Sequence, residues 1–119
     1  MKYVDGFVVP VPEKNIDAYC RISQQASKVW KEHGALEYRE CVGDNLKVEM
    51  GMPFTSTVKL KRGETVVFAW IVYKSRAHRD AVNAKVMKDP RMAKMMEGGP
   101  CPFDVKRMVY GGFRVIVDA

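Results

Sequence analysis

Two charged residues stand out because each lies inside an apolar run. Asp5 interrupts the stretch YVDGFVVPV, and Arg114 interrupts YGGFRVIV near the end of the chain. An unpaired buried carboxylate is costly, so we expect Asp5 to have a partner. If the two strands pair so that opposite positions sum to 119, Asp5 faces Arg114 directly. In that register the two form either a structural ion pair or a catalytic site, with Asp5 as acid or base and Arg114 holding an anion. A register one step away breaks the pair, and an Asp5 exposed at an edge is the other structural alternative.

A second candidate site is apolar. Methionines at helical spacing fill cores or line adaptable pockets. Together with aromatic side chains, they could bind a flat organic molecule between a sheet and its helices. The residues expected to line this ligand pocket are Phe54, Trp70, Met92, Met96 and Tyr110.

Several kinds of chemistry lack the residues they need. The two histidines, His33 and His78, cannot form a typical three-ligand zinc site without carboxylates or thiols. Cys20, Cys41 and Cys101 are odd in number and widely spaced, which fits neither a disulfide framework nor a zinc pattern. The sequence also contains no phosphate-binding glycine loop and no GxSxG element. We therefore expect neither a metal nor a bound cofactor.

The composition is that of one soluble domain spanning residues 1–119, with 47% hydrophobic and 29% charged residues. No apolar run is long enough to span a membrane, and the start does not resemble a signal peptide. We therefore expect a cytoplasmic protein. The net charge of +6 is concentrated in residues 58–119, which favours an anionic partner or a solvated surface.

Hydrophobic periodicity and turn residues predict the elements that position these side chains. Ser75 and Asp89-Pro90 carry the usual signals for the start of a helix. Part of the long connection 43–64, such as TVKLK, is expected to pair as a short strand. The predicted strands cover residues 3–11, 35–42, 65–74 and 106–117, and the predicted helices cover residues 13–33 and 75–88, with a short helix after residue 89.

This order of strand, helix, strand, strand, helix, strand is the ferredoxin-like α+β plan. In that plan the first strand is central, flanked by the third and the last. Asp5-Gly6 therefore belongs inside a central strand and not in a hairpin turn. Gly6 and the pair Gly111-Gly112 on the neighbouring strand leave either a hollow or room for a helix to pack closely.

The third strand, TVVFAWIVYK, is apolar on both of its faces. Two helices can cover one face of the sheet, and soluble monomers rarely leave a large apolar face open to water. The pattern therefore predicts a homodimer that buries the second face.

Three long stretches carry a resemblance that spans essentially the whole chain. The chain resembles the YbaA-like family of small uncharacterised proteins in the stretches YVDGFVVPVP, ETVVFAWIVYKSRAHRDAVNAKVMKDPRM and FDVKRMVYGGF. That family is similar to the dimeric α+β barrel superfamily, in which two ferredoxin-like sheets pack face to face. The superfamily includes cofactor-free monooxygenases, isomerases, haem enzymes and non-catalytic ligand-binding domains. The resemblance implies a homodimer but no catalytic residues, because the family has no established activity.

Three functions remain open from the sequence. The first is a homodimeric domain that binds a small apolar or aromatic molecule, with or without metal-free catalysis. The second is a structural or interaction protein. The third is RNA binding, because the RNA-recognition motif has the same topology and places aromatic residues on its first and third strands. The aromatic residues available to stack on RNA bases are Tyr3, Phe7, Phe68 and Trp70. The basic-Gly-aromatic signature of that motif is missing, so nucleic acid is not the expected partner.

Overall fold

The computed structural model describes residues 1–119, apart from the side chain of Met96. The chain forms one antiparallel sheet with helices between its strands. None of the described helices is long and apolar enough to cross a membrane. The strands are β1 (Tyr3–Pro12), β2 (Glu37–Val42), β3 (Glu64–Tyr73) and β4 (Val109–Arg114), and the helices are α1 (Ile16–Glu32), α2 (Phe54–Thr57), α3 (Arg76–Lys88) and α4 (Pro90–Glu97).

The sheet has the strand order β2-β3-β1-β4. All the neighbouring strands are antiparallel, and β1 pairs with β3 on one side and β4 on the other. The predicted ferredoxin-like plan and the central position of β1 are therefore confirmed. Asp5 and Gly6 lie within β1, opposite Ile71 and Trp70 of β3.

The helix starts follow the sequence signals. The Ser75 hydroxyl accepts a hydrogen bond from the backbone N–H of His78 at the start of α3. The Asp89 carboxylate accepts one from the N–H of Arg91 at the start of α4, with Pro90 in the first helical position. Such caps satisfy N–H groups that have no partner within the helix. Asp89 also lies 2.8 Å from Nε2 of His33, which ties the end of α1 to the start of α4.

Two of the predicted elements differ from the structure. The TVKLK segment is not a strand, because α2 ends at Thr57 and the chain then turns through Lys59, which has a φ of 51°. The last strand is shorter than predicted, because residues Val105–Arg107 form a 3-10 turn and β4 ends at Arg114. In both cases local β-propensity is overridden by the turns that the chain makes at these points.

The core lies between the helices and one face of the sheet. The residues of β3 on this side, Val67, Ala69, Ile71 and Tyr73, are all buried, and side chains on one face of a strand recur at every second position. Ile71 and Tyr73 pack in one cluster with Val29 of α1 and with Val82 and Val86 of α3. Val67 and Ala69 pack in a second cluster with Val9 and Val11 of β1. We call this side of the sheet the helix face.

The opposite side, which we call the open face, carries large side chains that the chain itself leaves partly exposed. Phe68 is 43% exposed, Val109 55% and Phe113 61%. The Phe68 ring lies 5.6 Å from that of Trp70 and 6.2 Å from that of Phe54, measured between ring centroids. The open face therefore carries an aromatic group of Phe54, Phe68 and Trp70 on the β3 side and exposed apolar side chains on β4.

The strand glycines make room for aromatic rings and not for a helix. Gly6 and Gly111 lie opposite each other, and the Phe113 ring covers both of them on the open face. Gly112 lies on the helix face beneath the ring of Tyr3. A Cβ on Gly112 would lie 2.8 Å from Cε2 and 2.9 Å from Cζ of Tyr3, which is too close for real contacts. Neither predicted alternative, a hollow or a closely packed helix, describes these positions.

Substitution of Gly112 therefore tests the packing of Tyr3. Gly112→Ala should lower the free energy of unfolding by about 1–3 kcal/mol, because the buried Tyr3 ring must move. Gly111→Ala is the matched control, since its Cβ would lie at an ordinary 3.7 Å from Phe113. It should change the free energy by no more than about 0.5 kcal/mol in urea unfolding. Equal losses in the two variants would contradict this packing.

Candidate functional site

Asp5 lies on the helix face of β1 and is buried. The register of β1 with β4 differs by two residues from the predicted one, so that Asp5 lies opposite Gly112 and Arg114 lies opposite Tyr3. The predicted pairing of Asp5 with Arg114 is therefore wrong. Arg114 is an exposed residue at the end of an edge strand.

The partner of Asp5 is Arg79 of α3. Nη1 of Arg79 donates hydrogen bonds to Oδ1 of Asp5 at 3.1 Å and to the hydroxyl of Tyr110 at 3.2 Å. The guanidinium also lies over the Tyr3 ring, 4.9 Å from its centroid, in cation–π geometry. We call Asp5, Arg79, Tyr3 and Tyr110 the Asp5 cluster.

Burial governs the electrostatics of this cluster. The side chain of Asp5 is 2% exposed and that of Arg79 is 15% exposed. Burial raises the pKa of Asp5 above its usual value, while Arg79 acts in the opposite direction. An inaccessible carboxylate that is bound to an arginine cannot readily take a proton from a substrate, so this geometry favours the structural interpretation of Asp5.

The sequence contains a signal for Arg79, on a helix and not on a strand. Arg79 precedes the buried Val82 by three residues and the buried Val86 by seven. Residues at these spacings share one face of a helix. Arg79 is therefore a charged residue on the inward stripe of α3, which is the same kind of anomaly as Asp5 in β1.

Removal of Arg79 should leave Asp5 buried without its ion-pair partner. Arg79→Met should lower the free energy of unfolding by about 3–5 kcal/mol, the usual cost of breaking a buried pair. Arg76→Met is the matched control, because Arg76 is an exposed residue of the same helix. Its cost in urea unfolding should stay below about 0.5 kcal/mol. A loss for Arg79→Met no larger than the control's would show that the Asp5 cluster does not stabilise the fold.

The residues predicted to line one ligand pocket lie on two sides of the sheet. Trp70 and Phe54 are on the open face beside Phe68. Tyr110 is on the helix face, where its ring stacks on that of Phe7 at 4.8 Å. Met92 packs against the core beneath α4. Within one chain these four side chains do not enclose a common space, and the side chain of Met96 lies outside the described residues.

A cavity of about 350 Å³ opens elsewhere on the helix face, between α1 and β2. This volume is at the lower end of the range for small-molecule sites. Its walls combine apolar, hydroxyl and carboxyl groups, and include Ile16, Tyr19, Ser23, Tyr38, Glu40 and Val67. We call it the Glu40 cavity.

Glu40 organises the polar part of this cavity. Tyr19 and Tyr38 each donate a hydrogen bond to a different carboxylate oxygen, that from Tyr38 at 2.7 Å. Burial raises the pKa of both phenols above the usual value, and the neighbouring Glu40 carboxylate raises it further. Both phenols are therefore protonated donors at neutral pH. The alternation of Tyr38 and Glu40 along β2 was visible in the sequence, but their pairing with Tyr19 of α1 was not.

Another cavity, of about 370 Å³, lies in the connection between β2 and β3. It is lined by Leu46, Lys47, Val48, Glu49, Pro53 and Thr55, most of which are exposed. The Glu40 cavity is better supported as a ligand site, because it lies between a helix and the sheet and contains a fixed carboxylate.

The sheet order and the helices on one face define a ferredoxin-like α+β protein. A solved structure described as a dimeric ferredoxin-like protein, from an uncultured marine organism, matches 99% of this chain and 98% of its own with a TM-score of 0.58. The sequence identity is 15%, so the match shows the fold alone.

Sequence comparison is more specific. The model of the family described as "Protein of unknown function (DUF1428)" matches residues 2–105. The uncharacterized protein YbaA of Escherichia coli strain K12 is 48% identical over 118 residues, which is 99% of each chain, and YbaA of Shigella flexneri matches equally well. The chain belongs to this family, which confirms the resemblance seen in the sequence.

Proposed function

We propose that the chain is a homodimeric binding protein for a small organic molecule. The observation that carries the proposal is the Glu40 cavity, which offers apolar walls and an oriented carboxylate in a space of about 350 Å³. A largely apolar pocket with a few convergent polar groups is the usual form of a small-molecule site.

The homodimer is supported by the open face. Phe68, Val109 and Phe113 together present an aromatic and aliphatic surface to water in the single chain. Burial of apolar area is favourable by about 25 cal/mol per Å², so covering this face with a second copy would stabilise the pair. The solved neighbour of the same fold is described as dimeric, which agrees with this arrangement.

A charge on the open face should separate the two chains. Val109→Asp should weaken self-association by about 100-fold or more, because the interface would bury an unpaired carboxylate. Sedimentation equilibrium at micromolar concentration, in low and high salt, measures the change. The wild-type dimer should persist in high salt, since its interface is apolar.

Val42→Asp is the matched control for that experiment. Val42 is 53% exposed in the single chain, against 55% for Val109, and lies on the helix face of the other edge strand. This variant should remain dimeric. A monomeric wild type, or an equal effect of both substitutions, would exclude a dimer through the open face.

Filling the Glu40 cavity should abolish ligand binding. Three probes share a phenyl ring and differ in charge: phenethylammonium, 2-phenylethanol and 3-phenylpropionate. We expect at least one of them, at millimolar concentration, to shift the backbone NMR signals of Tyr19, Ser23 and Glu40. Ser23→Leu should remove these shifts, because Ser23 lines the cavity.

Gln25→Leu is the control for the filled cavity, since Gln25 is an exposed residue of the same helix. Its response to the probes should match that of the wild type. If no probe shifts these signals, or if Ser23→Leu responds like the wild type, the cavity is not a binding site and a structural or interaction role becomes the better proposal.

The two other functions considered from the sequence have less support. RNA binding requires aromatic residues of the first and third strands on one sheet face, but Tyr3 lies on the helix face and Phe68 and Trp70 on the open face. Metal-free catalysis by Asp5 requires an accessible carboxylate, whereas Asp5 is bound to Arg79.

A further inference from the structure

We infer that the ligand of the Glu40 cavity is a small organic cation: an ammonium group attached to an apolar or aromatic body. This inference rests on the proposed function and specifies its ligand class. Three properties of the cavity favour such a ligand: its charge, its aromatic walls and the spare hydrogen-bonding capacity of Glu40.

The charge of the cavity is opposite to that of the chain. The chain has 20 lysines and arginines against 14 acidic residues, a net charge of +6. Among the residues described as lining the cavity, however, Glu40 is the charged one, and none is basic. At short range the carboxylate of Glu40 attracts a cation and repels an anion, while the net positive charge of the chain acts from farther away and is screened by salt.

The nearest basic neighbour in sequence does not neutralise Glu40. Arg39 points to the open face of β2, because successive side chains of a strand alternate between faces. Its guanidinium lies 3.7 Å from Glu37, which is on the same side of the strand. The charge of Glu40 therefore remains available to a ligand on the helix face.

The carboxylate of Glu40 is oriented but not saturated. Tyr19 and Tyr38 occupy one acceptor position on each oxygen. An ionised carboxylate has about four such positions, so about two remain for the N–H groups of a ligand. Hydrogen bonds between an ammonium and a carboxylate are about twice as strong as neutral ones.

The aromatic walls suit the same kind of ligand. The faces of tyrosine rings attract cations, and the two phenols here are held in place by other rings. Tyr19 packs edge-on against Phe103 at 5.5 Å, and Tyr38 lies 6.0 Å from Trp30, measured between centroids. Ile16 and Val67 supply the apolar walls that would contact the body of the ligand.

The three phenyl probes test this inference by their order of affinity. By NMR titration at neutral pH, phenethylammonium should bind the wild type at least about tenfold more tightly than 2-phenylethanol, which corresponds to one charge-assisted hydrogen bond. 3-Phenylpropionate should be the weakest of the three. This order needs no variant, so it can be measured even where a substitution impairs folding.

Glu40→Gln should remove the preference for the cation while the alcohol still binds. Glu37→Gln is the matched control, because it makes the same change on the same strand but on the opposite face. It should leave the preference unchanged. An equal loss in both variants would mean a general attraction of the surface for cations and would overturn the inference.

The remaining outcomes separate this inference from the proposed function. If the alcohol or the acid binds the cavity as tightly as the ammonium, the cation preference is wrong and small-molecule binding stands. If none of the probes binds the cavity, both are wrong.

Discussion

The architecture of this protein depends on one constraint: its three longer helices, α1, α3 and α4, cover one face of a sheet whose third strand is apolar on both. On the covered face, Val67, Ile71 and Tyr73 complete the core with α1 and α3. On the open face, Phe68 and Phe113 are partly exposed in the single chain. The proposed homodimer would cover them with the same face of a second copy, as in a twofold interface.

The covered face also holds the polar chemistry, and its two clusters have different characters. The Asp5 cluster is closed, because Arg79 binds the buried carboxylate and the Tyr3 ring fills the space above Gly112. The Glu40 cavity is open, and its carboxylate is held by two phenols instead of a basic group. Breaking the closed ion pair would leave a buried charge without its partner, whereas the oriented carboxylate of Glu40 keeps free acceptor positions. The two clusters therefore lie at different positions on the same face of the sheet and differ in access.

Much of the fold could be predicted from local patterns. Hydrophobic periodicity gave the strands and helices, and the ferredoxin-like plan that their order matches then gave the strand order and placed Asp5 in a central strand. Ser75 and Asp89 marked two helix starts. The register of β1 with β4 could not be predicted, because the glycines of β4 give little information about which face or neighbour they meet. The pairing of Asp5 with Arg79 joins residues 74 positions apart, so only the packing of α3 against the sheet reveals it. The grouping of Tyr19 with Glu40 depends on α1 in the same way.

The central claim is that the open face is buried against a second copy of the chain. Its most direct test is an isotope-filtered NOE measurement on a sample that mixes ¹³C-labelled and unlabelled protein. The account predicts contacts between the two copies at the rings of Phe68, Trp70 and Phe113. Two results would contradict it. One is a set of intermolecular contacts confined to the outer surfaces of α1 and α3. The other is a monomeric sample with no intermolecular contacts at those rings.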